Sequence, residues 1–260
     1  MNDYVPSDAW LRFYLLGGCE IQLPEGSVRL ESAKTRALLV YLVLNPGPQE
    51  RHKLIGLLWG DFPEANARRN LRRALWNLRK ELNNPELPPV ILADRETVAI
   101  NDQTPFWVDV GVFQEACTQL SQISSQPSPS DSTGQAPSSP TLEQLRPLID
   151  LYQGDFLDGF YVDNAPAFED WVFLERERTR VLALNAIQHL AEEYESSNQN
   201  SNALHYARRL VSIEPLREES HRQIMRLLAL NDQRNAALAQ YRTCRQLLAE
   251  ELEVEPSDET

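Results

Sequence analysis

Residues 64–82 read EANARRNLRRALWNLRKEL, and the rest of the chain is read outward from them. The stretch holds six basic residues (Arg68, Arg69, Arg72, Arg73, Arg79 and Lys80) against two acidic ones, Glu64 and Glu81. Leu71, Leu75, Leu78 and Leu82 recur at steps of four, three and four, the spacing of an apolar stripe on an amphipathic helix. At about 100° of turn per residue, Arg69, Arg72, Arg73, Trp76, Asn77 and Lys80 fall on the face away from the leucines. Arg68 and Arg79 fall at the edge of the stripe. One face can dock on a core while the other offers cations. A solvated charged helix is the alternative, but such helices mix signs through i,i+4 pairs. Between positions 65 and 80 there is no Asp or Glu, so the charge points to a polyanion.

This patch runs against its background. The 260-residue chain has a formal charge of −13. Residues 1–110 carry 13 Lys and Arg against 14 Asp and Glu, whereas residues 111–260 carry 12 against 24. A nucleic-acid contact therefore belongs to the first part, and the acidic second part is suited to protein partners. The length allows two domains, each with its own core. Cys19, Cys117 and Cys244 are far apart and odd in number, which argues against a disulfide framework or a zinc site and fits a reducing cytoplasm. The first ten residues have neither the basic nor the apolar part of a signal peptide. The longest apolar run, Ala37–Leu44, is eight residues, against roughly 20 for a membrane helix. A soluble, cytoplasmic protein without membrane contact is expected.

Along the chain, Leu11–Leu16, Ile21–Leu23 and Val28–Leu30 read as short strands of an antiparallel sheet with tight turns at Gly17-Gly18 and Pro24–Gly26. Ser32 is placed to cap a helix that stops at Asn45-Pro46-Gly47. A second helix fits Glu50–Trp59, broken by Gly60 and Pro63, and the basic helix follows. Val90–Leu92 and Thr97–Ile100 form a hairpin with Arg95 at its tip, and Phe106–Val110 a last strand. Two helices joined by a break, the second basic, make the layout of a helix-turn-helix whose second helix enters the major groove. The hairpin would be its wing.

SAKTRALLVYLVLNPG, RHKLIGLLWGDF, ARRNLRRALWNLRKEL and the strand pair after them resemble the OmpR-type winged helix of the antibiotic regulatory (SARP-type) activators. The family's recognition-helix pattern falls on Leu71-Arg72, Leu75, Leu78-Arg79 and Leu82. The wing departs from the common form: Thr97-Val98 stand where the family has a Gly-Tyr pair.

After Val112–Leu120, which starts a helix, Ser121–Thr141 is almost wholly Ser, Pro, Gly, Thr, Gln and Asp. It cannot bury enough apolar surface to offset its ordering entropy, so a disordered loop is expected over 121–141. Helical pattern resumes at Leu142–Tyr152 and Glu169–Glu195. Tyr194–Leu204 then aligns with Leu228–Leu238 at an offset of 34, matching Gln199 to Gln233, Ala203 to Ala237 and Leu204 to Leu238. Thirty-four residues is the tetratricopeptide period, in which paired helices cover each other's apolar faces. LYQGDFLDGFYVDNAPAFEDW, PLREESH (Pro215–His221) and the terminal ELEVEP resemble the bacterial transcriptional activator domain.

The expected fold is mainly α with a small β component: a winged helix-turn-helix over 9–110 and an all-α helical-repeat domain over 111–256. By position, Arg69, Arg72, Arg73 and Asn77 are the candidates for base edges, since Arg and Asn form paired hydrogen bonds with guanine and adenine. Lys53, Arg68, Arg79, Lys80 and Arg95 are the candidates for phosphate, which sets position but carries no sequence information. Trp76 is placed to pack on the wing or on DNA sugar. No catalytic, cofactor-binding or metal-ligating set emerges: there is no phosphate loop or dinucleotide fingerprint, and His52, His189, His205 and His221 have no ligand spacing. His52 is more simply a surface residue, and Asp155 and Asp158 turn residues.

The function expected is that of a sequence-specific transcriptional regulator, an activator by the resemblance, on double-stranded promoter DNA. The resemblance implies that the helical repeats serve dimerisation or contact with RNA polymerase, and that binding in tandem on direct repeats is as open as a two-fold dimer. The alternatives are a tetratricopeptide-like protein-interaction module and the front of a larger signalling regulator.

Overall fold

The computed structural model describes residues 5–6, 9–82, 84–125 and 141–260. Two compact units emerge: the chain up to Phe113 together with Leu151–Thr179, and Gln114–Asp150 together with Arg180–Thr260.

In the first unit, β1 (Leu11–Tyr14) pairs antiparallel with β2 (Glu20–Leu23), and β2 with β3 (Gly26–Ser27). Leu11 and Phe13 are fully buried while Arg12 and Tyr14 are not, the period-two alternation of a strand with one face on the core. The third strand was expected at Val28–Leu30 and forms two residues earlier. Gly26, at φ 132°, turns the chain straight back, so pairing starts at once; the Val28 N–H still donates to Ile21 O at 2.8 Å. β7 (Phe106–Val108) joins the far side of β1, parallel to it.

Three helices follow: α1 (Ala33–Leu44), α2 (Arg51–Trp59) and α3 (Glu64–Glu81). The Ser32 side chain accepts from the Thr35 N–H, the expected cap. Ala37 to Val43 are all buried in α1, and a helix apolar on every side must be covered on every side. Helices α2 and α3 pack on it, and so does β6 (Thr97–Ile100). Strand β6 pairs with β5 (Ile91–Ala93) and also with β4 (Gln49–Glu50). That last strand replaces the start expected for the second helix, because two residues are too few to show a period.

Residues 151–179, which lie within the expected 111–256 domain, pack with the first unit. The Leu157 N–H donates to Leu15 O at 2.8 Å and the Gly17 N–H to Asp155 O at 3.0 Å. A Cβ on Gly154 would meet Gly17 Cα at 3.1 Å, so both glycines allow this backbone approach. Trp171 packs its ring against Tyr41 of α1 (centroids 5.1 Å apart), Phe156 and Phe168.

α4 (Asp109–Ser125) starts three residues earlier than its apolar pattern suggested and runs into the stretch expected to be disordered. α5 (Leu142–Ile149) opens with Thr141 and Gln144 in a reciprocal capping box. The loop expected between them otherwise falls on 126–140, outside the described residues. α6 (Pro166–Ser196) gives its first part to the first unit and the remainder to the second. α7 (Asn200–Ile213), α8 (Glu218–Leu230) and α9 (Arg234–Leu252) follow, with α8 packed on both α7 and α9.

The 34-residue offset reappears in the backbone. Asn198 and Asp232 both take positive φ (56° and 58°). The next residues, Gln199 and Gln233, cap α7 and α9, and their N–H groups donate back to Tyr194 O and Leu228 O. The PLREESH stretch is a local lock: His221 is buried, with Nε2 2.8 Å from Pro215 O and Nδ1 2.8 Å from Gln240 Nε2. Among the described residues no helix is long and apolar enough to cross a membrane.

One buried charge ties the first unit together. Asp109 Oδ2 accepts from the Leu15 N–H (2.6 Å) and the Leu16 N–H (2.9 Å), and Oδ1 from the Val110 N–H. Burial pushes its carboxyl up to about 6, against the pull of those hydrogen bonds. The folded chain therefore holds this proton more tightly than the unfolded chain. The associated stability is complete below the ordinary value of 3.8 and is lost as pH rises through 6. Relative to Asp109→Asn, the native chain should lose on the order of 3 kcal/mol between pH 4 and pH 7, measured by urea unfolding of both at the two pH values. Parallel pH profiles would refute this.

Candidate nucleic-acid interface

Helix α3 buries Ala67, Leu71, Ala74, Leu75 and Leu78, with Leu82 buried as its C-cap. The leucine stripe thus faces α1, α2 and β5, as its spacing predicts. Gly60 sets the break before α3: a Cβ there would meet Gly56 O at 2.9 Å.

On the other side, Arg68, Arg69, Arg72, Arg73, Trp76, Arg79 and Lys80 are exposed and Asn77 is half-buried. Arg68 is partly neutralised by Glu64 one turn before it, and Lys80 lies 3.7 Å from Glu81. Among the described residues no carboxylate pairs with Arg69, Arg72, Arg73 or Arg79. The four proposed base readers lie on one helix face, and three of them have no counter-charge.

A groove of about 880 Å³ runs between α2, the start of α3 and the hairpin, with Arg51, His52, Trp59, Arg68, Arg72 and Arg95 among its lining. Arg79 lies instead along the hairpin's other side, with Leu82, Leu92 and Ala99. Lys53, expected at phosphate, lines neither groove: its Nζ is 3.3 Å from Gln49 Oε1 and 5.8 Å from the centre of the Tyr41 ring. Arg51 was not singled out from the sequence, yet it fixes the wing. Its side chain donates to Asp94 O at 3.0 Å and its N–H to Glu96 O at 2.9 Å. Its position as first residue of α2, directly after the edge strand, was the available signal.

The wing tip is built by Asp94. Its carboxylate accepts from the Thr97 and Glu96 N–H groups, both at 2.7 Å, and from the Thr97 hydroxyl at 3.0 Å. These bonds, that from the Thr97 N–H foremost, hold the carboxyl below the usual carboxylate range. Arg95 stands exposed between Asp94 and Glu96, so the tip as a whole carries one net negative charge.

Among the described residues no group of three or more His, Cys, Asp or Glu is placed to hold a metal ion. The cysteines are unpaired, and burial pushes Cys117 up to about 12.

A model of the family described as the bacterial transcriptional activator domain matches residues 109–260. The transcriptional regulatory protein MoaR1 of Mycobacterium tuberculosis is 23% identical over 250 residues, which are 95% of this chain and 76% of that protein. EmbR, a transcriptional regulatory protein of the same species, is 26% identical over 259 residues, and the match covers 60% of EmbR's length. The regulatory protein AfsR of Streptomyces coelicolor is 28% identical over 247 residues, only 23% of its length. A solved structure of Mycobacterium tuberculosis EmbR, in complex with a low-affinity phosphopeptide, shares the fold with a TM-score of 0.65 at 22% identity. That match covers 96% of this chain and 62% of the EmbR chain.

The two faces of α3 should respond differently to truncation. Leu78→Ala opens a cavity under a fully buried side chain and should cost about 2–5 kcal/mol. Arg72→Ala should change stability by less than about 0.5 kcal/mol. Urea unfolding of the two variants checks this; a comparable loss at Arg72 would mean its guanidinium serves the fold.

Proposed function

This chain belongs to the bacterial transcriptional activator domain family and is a SARP-type transcriptional regulator, and from that membership we propose that it binds promoter DNA sequence-specifically through α3. Arg69, Arg72, Arg73 and Asn77 face base edges in the major groove. Arg68, Arg79, Lys80 and Arg95 take phosphates, and Arg51 is better placed than Lys53 to act with them along the groove. The observation that carries this proposal is the exposed face of α3, with three arginines that no carboxylate neutralises. A helix of that length fits the major groove, and guanidinium forks suit guanine O6 and N7.

The helical repeats carry the protein contacts, either dimerisation or engagement of RNA polymerase to activate transcription from the cytoplasm. Support for a protein-facing role comes from their acidity and from Leu230, Leu238 and Leu252, which stand half or more exposed.

Binding to the duplex upstream of the gene, followed by fluorescence anisotropy at several salt concentrations, tests the proposal. Affinity should exceed that for shuffled DNA and should fall steeply with salt, because each neutralised phosphate releases counter-ions. Arg72→Ala should cost about 1–3 kcal/mol and relax sequence preference, whereas Arg79→Ala should weaken all sequences alike and lower the salt slope by about one. Equal loss on every sequence for Arg72→Ala would remove its base-reading role. Failure to bind any duplex at low salt would remove the DNA reading.

A further inference from the structure

Trp76 is out of place for a tryptophan in a folded core. Of the five tryptophans, Trp59 and Trp107 are buried and Trp10 and Trp171 are half-buried, whereas Trp76 is 62% exposed. It lines neither groove beside the hairpin. The Lys80 Nζ sits 5.7 Å from its ring centre. Arg72 and Arg73 lie one turn before it and Lys80 one turn after, so the indole is set among the cations on the exposed face of α3. A large apolar surface held in water at the middle of a charged face is unfavourable unless a partner covers it.

We infer that Trp76 is a specificity-determining residue that covers a thymine in the major groove. This rests on the DNA-binding proposal above and adds to it a base class that the arginines do not read. Guanidinium groups suit guanine, and an asparagine suits adenine. Thymine offers a different edge, a C5-methyl beside the O4 acceptor. An indole has the matching pair of properties, an apolar ring and a single Nε1–H donor. The cations around the indole hold the duplex backbone near it, and the methyl provides the apolar cover it lacks in the free protein.

The test uses the full chain and a duplex recovered by selection from a random DNA pool. Each thymine is replaced in turn by deoxyuridine, which keeps O4 and lacks the methyl, and affinity is read by anisotropy. For the native chain, one or two positions should lose about four-fold, the worth of burying a single methyl group. Trp76→Ala should bind the thymine duplex about ten-fold more weakly, as expected for truncating a central aromatic anchor, and should no longer distinguish thymine from deoxyuridine there. Trp76→Phe should retain most of that discrimination, and circular dichroism should show both variants folded. The inference is overturned if the native chain is indifferent to every methyl, or if Trp76→Ala keeps the same methyl sensitivity. It is overturned too if the native chain binds random DNA at low salt but selects no preferred duplex. A native chain that binds no duplex at all overturns instead the DNA-binding proposal on which it rests.

Discussion

The first unit is arranged around the need to cover α1. Seven consecutive residues of that helix, Ala37 to Val43, are buried, so every side of it must meet apolar surface. Helices α2 and α3 cover part and β6 another part. The aromatic group of Trp171, Phe156 and Phe168 meets it at Tyr41. At roughly 25 cal/mol per Å² of apolar area, removing any one of these covers would expose enough surface to matter against a net stability of about 5–15 kcal/mol. This is the physical reason that residues 151–179 pack with the winged helix although the chain reaches them only after α4 and α5. It also fixes α3: with its leucines committed to α1, its arginines have no direction left but outward.

What could be read in advance follows from the range of each signal. The α3 stripe, the Ser32 cap and the 34-residue repeat depend on residues within one helix or one period, and all three appear where their spacing puts them. The parallel pairing of β7 with β1 and the return of Gly154 to Gly17 join residues more than ninety positions apart in sequence. Nothing within a short window encodes them. Asp109 was invisible for the same reason: local pattern puts it in the strand Phe106–Val110, whereas it opens α4, and only the Leu15 and Leu16 N–H groups make it a buried tie. Helical phase puts the α3 arginines on the exposed face, whereas for the shorter α2 it says less: Lys53 is exposed but lies outside both grooves. The phase of a nine-residue helix does not say which side a groove will open, and Lys53 turns to Gln49 and Tyr41.

The repeats show a different limit. Leu204 and Leu238 occupy the same position 34 residues apart, yet Leu204 is 8% exposed and Leu238 50%. Sequence specifies the position, but burial depends on what packs next. Helix α8 packs on both α7 and α9, so equivalent positions of the repeat can turn one side chain to a neighbour and the other to solvent.

Charge acts with the same locality. A formal charge of −13 opposes a polyanion in the chain's summed field. At physiological ionic strength, however, exposed charges are screened beyond about 8 Å, and the potential at a groove is set by the side chains that border it. Along α3 those are Arg69, Arg72, Arg73 and Lys80, with no acid between positions 65 and 80. Glu64 and Glu81 stand at the two ends of the helix, and the wing tip places Asp94 and Glu96 around Arg95. Cations are thus concentrated in the middle turns of α3 and bounded by carboxylates at its rim. A rim of that sign weakens indiscriminate attraction to phosphate at the edges while leaving the centre attractive. On the proposed reading, a duplex approaches with its groove on α3, where the electrostatic gain outweighs the repulsion around it.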